Sequence, residues 1–224
     1  MPSIVTFIGW HDSGKTTLAS QVVSELNLLG YRVAVIKSSN ESGVVFDTPG
    51  TDTAKHKLAG AESVMFLGPD QLVLQTQNRN LSLTTLALRY FPDADIIIGE
   101  GFKTARHVAK IEVLRSPDQM LRNQVNGVIA VATDLEDVPG DHIFRLDESK
   151  EIAKFIEKKF LLDTSIGNDR AVLLVNGKKV PLKRFVQEML AGTVEGFVHT
   201  LKCTDQVEEI ELRIRTKKKL ANIE

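Results

Sequence analysis

One cysteine, one tryptophan and a formal net charge of −1 place several classes of protein out of reach. A lone thiol, Cys203, cannot close an intramolecular disulfide or supply a cysteine-only metal site. Lysine and arginine number 28 against 29 aspartates and glutamates, so no overall field draws the chain to nucleic acid or a membrane surface, and neither is expected as a partner. The one basic run, Lys217-Lys218-Lys219 behind Arg213 and Arg215, reads as a solvated tail. No apolar run approaches the ~20 residues needed to span a bilayer. No leader precedes the first strand-like segment, so the expectation is a cytoplasmic protein. The five histidines are scattered without an i, i+4 metal pair, and no Ser/His/Asp or Cys/His nucleophile arrangement stands out. What is present is a 42% hydrophobic chain of 224 residues, enough for one large domain with a small appendage.

Apolar periodicity alternates between strand and helix along most of the chain. Strands are expected at 4–8, 31–37, 63–67, 72–76, 94–101, 110–115, 125–132 and 143–146. Helices are expected at 18–29, 51–59, 83–91 and 148–160. In the first helix Leu18, Val22, Leu26 and Leu29 share a face. The Pro69-Asp70 turn pairs two of the strands as a hairpin. This alternation predicts an α/β layer fold with a mostly parallel sheet. A linker follows at 163–169, and then a different pattern. The strands 171–175 and 178–182 flank Asn176-Gly177, which suits a type I′ turn. A helix over 185–201 and a strand over 208–214 complete a small β-β-α-β appendage. The expected division is 1–162, 163–169 and 170–224.

Between the first strand and first helix runs Gly9-Trp10-His11-Asp12-Ser13-Gly14-Lys15-Thr16-Thr17. The spacing G-x-x-x-x-G-K-T after a strand and before a helix is that of a phosphate-binding loop. Glycines let backbone N–H groups converge on phosphate oxygens, and the helix N-terminus adds unpaired donors. Lys15 would reach the β- and γ-phosphates, and the Thr16 hydroxyl would bind Mg²⁺. The chain is therefore expected to bind a nucleoside triphosphate on the three-layer scaffold of P-loop NTPases, with residues 9–17 as the cradle.

A phosphate loop needs a second carboxylate for the metal, usually from the end of a nearby strand. Ligands sit at the carboxyl ends of parallel strands. Glu100, which ends its strand, is therefore preferred over Asp95, which begins it. Asp47, ahead of Pro49-Gly50, suits a loop that senses the γ-phosphate through Mg²⁺, or an Asx turn. Lys37 ends the second strand and could meet phosphate or solvent. Asp134, after the strand 128–132, could accept from guanine N1 and N2, or could cap a turn. Trp10 and His11 project from the loop toward solvent or a partner.

Residues 3 to about 160 resemble the molybdopterin-guanine dinucleotide biosynthesis protein B family, MobB. The resemblance runs in order through Gly9–Leu18, Val35-Ile36-Lys37, Asp47-Thr48-Pro49-Gly50-Thr51-Asp52-Thr53, Ala59-Gly60-Ala61, Glu100-Gly101-Phe102-Lys103, Lys110–Arg115 and Ala130–Asp134. The loop is shared by a vast class; its combination with the Pro-Gly-x-Asp and Glu-Gly-Phe-Lys segments is far more specific. The resemblance implies a GTP-binding protein with weak Mg²⁺-dependent hydrolysis. It implies a role in attaching a guanosine monophosphate moiety to molybdopterin, beside a MobA-like nucleotidyltransferase, and homodimer formation. It strengthens Asp134 as a guanine contact and places Glu100 near Mg²⁺ with Lys15 at the phosphates. It suggests that the pterin is handed over near Glu-Gly-Phe-Lys. Residues 166–224 lie outside the family's core pattern. Two other readings share the scaffold: a small-molecule kinase, for which only Arg115 and Arg122 could furnish a lid, and a non-catalytic nucleotide-binding adaptor.

Overall fold

The computed structural model describes residues 2–45, 47–162, 169–202 and 207–214. The linker at 163–168, Cys203 and the basic run at 217–219 lie outside the described residues.

Six strands form one parallel sheet: β1 (Ser3–Ile8), β2 (Val33–Lys37), β5 (Ile96–Glu100), β6 (Ala109–Leu114), β7 (Val128–Thr133) and β8 (Ile143–Phe144), in spatial order β2-β5-β1-β6-β7-β8. β1 sits centrally, so its carboxyl end opens between those of β5 and β6. The helices on the way are α1 (Lys15–Leu28), α2 (Asp52–Leu58), α3 (Leu83–Tyr90) and α4 (Ser149–Phe160).

Val5 and Phe7 of β1, Ile96 and Ile98 of β5, Ile111 and Val113 of β6, and Ala130 and Ala132 of β7 point to one face. There they meet Leu18, Ala19, Val22 and Leu26 of α1 and Ile152, Ala153 and Ile156 of α4, all buried. Each fully buried Val, Leu, Ile or Phe contributes about 1.5–3 kcal/mol of transfer free energy, so this seam is the main source of stability. The expected α1 stripe holds for three positions. The fourth, Leu29, is the C-cap residue and is 46% exposed, and Ala19 is buried in the stripe instead. On the other face α3 buries Leu83, Thr85 and Ala87. Gly99 of β5 has no room for a side chain there, since an added Cβ would lie 2.5 Å from the Thr6 methyl.

β3 (Ser63–Leu67) and β4 (Leu72–Thr76) pair antiparallel as a separate hairpin, closed at its turn by Gly68 N–H donating to Gln71 O at 2.8 Å. Both faces of this ribbon are accessible, and Met65, Phe66, Leu67, Leu72, Val73 and Leu74 are all exposed.

The chain divides into two compact units, 1–168 with 174–180, and 169–173 with 181–224. The predicted hairpin is present as β9 (Leu173–Val175) and β10 (Lys178–Val180). Asn176 and Gly177 have φ of 51° and 75°, as a type I′ turn demands. The second unit carries α5 (Arg184–Val198), beside which Arg170 pairs with Glu195 at 2.7 Å. Residues 207–214 take no strand pairing, contrary to the expected last strand. Alternation makes a strand possible, but only a neighbouring strand can satisfy its N–H and C=O groups. None of the described helices is long and apolar enough to cross a membrane.

Candidate functional site

The loop Gly9–Gly14 leaves β1 and enters α1 with Gly14 as the N-cap, at φ 88°. No side chain caps this helix, so its first N–H groups have no side-chain acceptor at the cap. Gly9 is required for space: a Cβ there would come within 2.6 Å of Val113 O and 2.7 Å of Ser13 Oγ. The Lys15 ammonium folds back over the loop, donating to Trp10 O and, at 3.4 Å, to Ser13 Oγ. Burial lowers its pKa, opposed by the nearby Glu100 carboxylate. An ammonium held this way gains from an incoming polyanion.

The parallel register builds the rest of the site. Glu100 lies opposite Phe7 of β1 and Lys37 of β2. Its carboxylate accepts from Thr16 Oγ1 at 2.6 Å and pairs with Lys37 Nζ at 3.0 Å. Burial pushes the Glu100 carboxyl upward, but the hydrogen bonds from Thr16 and Lys37 and the charges of Lys37 and Lys15 outweigh it and hold the group below its ordinary value. The structure thus joins Lys15, Thr16 and Glu100, as expected, and adds Lys37 as a direct partner of the acid. Gly101, at φ 91°, turns the chain away. Its N–H donates to Phe7 O, and Ser38 N–H donates to Glu100 O, so the ends of β1, β2 and β5 are stitched together. Phe102 follows at φ 55°, a conformation that is costly for a residue with a side chain.

On the opposite flank Leu114 of β6 stands in register with Thr133 of β7. The next residue on each strand meets the other: Arg115 Nη1 binds Asp134 Oδ2 at 2.6 Å. Arg115 Nε also donates to Ser13 O at 3.3 Å, so one guanidinium ties the phosphate loop to Asp134. Sequence reasoning missed this tie; its only signal is that both residues immediately follow the ends of strands. Arg122, the other arginine considered for a lid, is instead committed to the fold. It binds the fully buried Glu112 at 3.2 Å and Pro139 O.

Three expected residues have other contacts than the Thr16–Glu100 pair. Asp47 accepts from Thr51 Oγ1 at 2.9 Å, and Thr51 in turn caps α2. His11 Nδ1 and Asp12 Oδ2 approach to 2.7 Å, and both side chains are almost wholly exposed. Trp10 is 43% exposed; its Nε1 donates to Gln119 O at 2.9 Å, and Lys103 Nζ lies 4.8 Å from the ring centroid.

Mg²⁺ binds hard oxygen donors and keeps several of its waters. A threonine hydroxyl in contact with an ionised, mostly buried carboxylate at the mouth of the loop fits such an ion.

A family model, "Molybdopterin guanine dinucleotide synthesis protein B", matches residues 4–134. A protein of Methanocaldococcus jannaschii, named provisionally as a molybdopterin-guanine dinucleotide biosynthesis adapter protein, is 25% identical over 96% of this chain and 98% of its own length. The Escherichia coli protein named molybdopterin-guanine dinucleotide biosynthesis adapter protein is 31% identical over 60% of this chain and 80% of its own. A crystal structure of molybdopterin-guanine biosynthesis protein B superposes with a TM-score of 0.58 and 31% identity, covering 69% of this chain and 98% of that one.

Proposed function

Because the chain belongs to the MobB family of molybdopterin guanine dinucleotide biosynthesis, we propose that it is the GTP-binding accessory of that pathway, working beside the nucleotidyltransferase that joins the guanine nucleotide to molybdopterin. The observation that carries the nucleotide reading is the Thr16–Glu100 contact of 2.6 Å beneath a glycine-bounded loop whose helix has no side-chain cap. Loop amides from His11 to Thr17 would cradle the phosphates. Lys15 would trade its loop carbonyl for the β- and γ-phosphates, and Thr16 and Glu100 would hold Mg²⁺. When bound, the ion offsets phosphate charge and fixes the tail. Asp134, oriented by Arg115, supports a guanine preference: its carboxylate can accept from N1 and N2 of guanine, and adenine lacks that donor pair.

Hydrolysis in this reading is slow. Arg115 is held by Asp134 and the Ser13 carbonyl, and Arg122 by Glu112. Both arginines are therefore engaged elsewhere than on transition-state charge at the γ-phosphate. The β3–β4 hairpin supports self-association. Six large apolar residues exposed on one two-stranded ribbon form a surface that a second copy would cover.

Titrating the purified chain with GTP and with ATP in the presence of Mg²⁺ tests the reading. Tighter GTP binding, lost in Asp134→Ala while ATP binding persists, is the expected result; equal affinity for both nucleotides in the unaltered chain would refute the guanine claim. Light scattering on Phe66→Asp checks the second part, with a dimer reduced to a monomer expected and an unchanged mass refuting it.

A further inference from the structure

The nucleotide reading leaves Lys37 without a role. This lysine ends β2, and the parallel register sets it opposite Glu100 at the end of β5. Ser38 N–H donates to Glu100 O at 2.9 Å, which holds the two strand ends against sliding. The Lys37 ammonium lies 3.0 Å from Glu100 Oε1. The Thr16 hydroxyl donates to that same oxygen at 2.6 Å. One carboxylate oxygen therefore serves both the hydroxyl that suits Mg²⁺ and an ammonium group of this chain.

The two partners of that ion pair differ in freedom. Glu100 is mostly buried and fixed at the end of a strand that is buried along its whole length. A buried carboxylate without a partner is costly, so a cation beside it is favoured in every state of the site. The Lys37 side chain is more than half exposed. Its charge rides on a flexible stem of four carbons and can leave without disturbing the core. The charge of Lys15 acts on the same carboxylate, so two ammonium groups border one acid at the mouth of the phosphate loop.

We propose that Lys37 is a built-in substitute for the metal: its ammonium neutralises Glu100 in the metal-free protein and yields the shared oxygen to a divalent cation when the metal-bound nucleotide enters. The released ammonium then turns to the terminal phosphate beside Lys15. The inference rests on the proposed function and adds a residue to it. It has a consequence that a plain phosphate ligand lacks. With Lys37 in place, a triphosphate without metal still meets a neutralised acid. With Lys37 removed, the bare carboxylate repels the phosphates unless a metal covers it, so binding becomes more dependent on metal.

Calorimetry on the full chain gives GTP affinity in excess EDTA and again in Mg²⁺. Lys37→Met keeps the apolar stem and loses the charge, and thermal melts check that it folds. The ratio of metal-loaded to metal-free affinity should rise about tenfold in this variant, the scale of one charge-assisted contact. Lys103→Met is the control, because it removes a nearby ammonium that lies on the Trp10 ring, 4.8 Å from its centroid. It should leave the ratio as it is in the unaltered chain. A ratio unchanged in Lys37→Met overturns the inference, since any loss shared by both conditions makes Lys37 a phosphate ligand alone. An equal rise in Lys103→Met reduces the effect to bulk charge and also overturns it, as does metal-free binding that is already undetectable in the unaltered chain. In all three cases GTP binding in Mg²⁺ leaves the nucleotide reading standing; no GTP binding in Mg²⁺ by the unaltered chain brings down both.

Discussion

Replacing Glu100 by glutamine removes one charge and keeps the side chain's shape, which isolates what that charge does. The carboxylate is 11% exposed and serves two donors, Thr16 at 2.6 Å and Lys37 at 3.0 Å. A hydrogen bond to a charged group contributes about 1.5–3 kcal/mol. The Lys37 side chain is 57% exposed, so solvent screening limits its share to about 1 kcal/mol or less. Burial of the carboxylate offsets part of both. A loss of about 2 kcal/mol near neutral pH follows, or roughly 4–8 °C in melting temperature for a chain of this size. The pH dependence carries the sharper test. The folded-state pKa of Glu100 lies below its ordinary value of 4.5. Its stabilisation is therefore complete above that ordinary value and drains away as pH falls through the lower, folded-state pKa. Thermal melts of the two proteins should differ at neutral pH and converge in acid. A gap that stays constant with pH, or a glutamine variant at least as stable at neutral pH, would refute the assignment of the charge. Melts with GTP and Mg²⁺ complete the assay: the native chain should gain more protection than the variant, and equal gains would remove Glu100 from the metal site.

Gly9→Ala forces a methyl to within 2.6 Å of the Val113 carbonyl, so the loop or β6 must shift. The expected cost is about 1–3 kcal/mol by urea unfolding, with a larger loss of GTP affinity because the amides move with the loop. Arg115→Ala frees Asp134 and the Ser13 carbonyl together. The ratio of GTP to ATP affinity should fall by about tenfold, on the scale of one oriented ion pair, while overall stability changes little because both side chains are half-exposed.

Much of the fold was legible because its signals are local. The β-branched run before Gly9, the glycines at 9 and 14, and the stripe Leu18, Val22 and Leu26 lie within one stretch of chain, and each constrains its own backbone. The Asn176-Gly177 turn was readable for the same reason. The segment 208–214 misled because alternation is a local property while strand pairing is not. Leu29 misled because helical spacing does not say where the helix ends, and α1 stops at Leu28. In the site, Lys15, Thr16 and Glu100 were identified as chemistry, yet Lys37 was left between phosphate and solvent, and the Arg115–Asp134 tie was not read.

The sequence alone determined that a glycine-bounded loop would join β1 to the start of α1, since glycine spacing and a helix start suffice for that. Only the tertiary structure decided which carboxylate completes it and which arginine braces it. Glu100 lies 84 residues from Thr16, and Asp134 lies 19 from Arg115. Both meetings are set by the register of parallel strands, which is fixed by packing against α1 and α4 and not by neighbours along the chain.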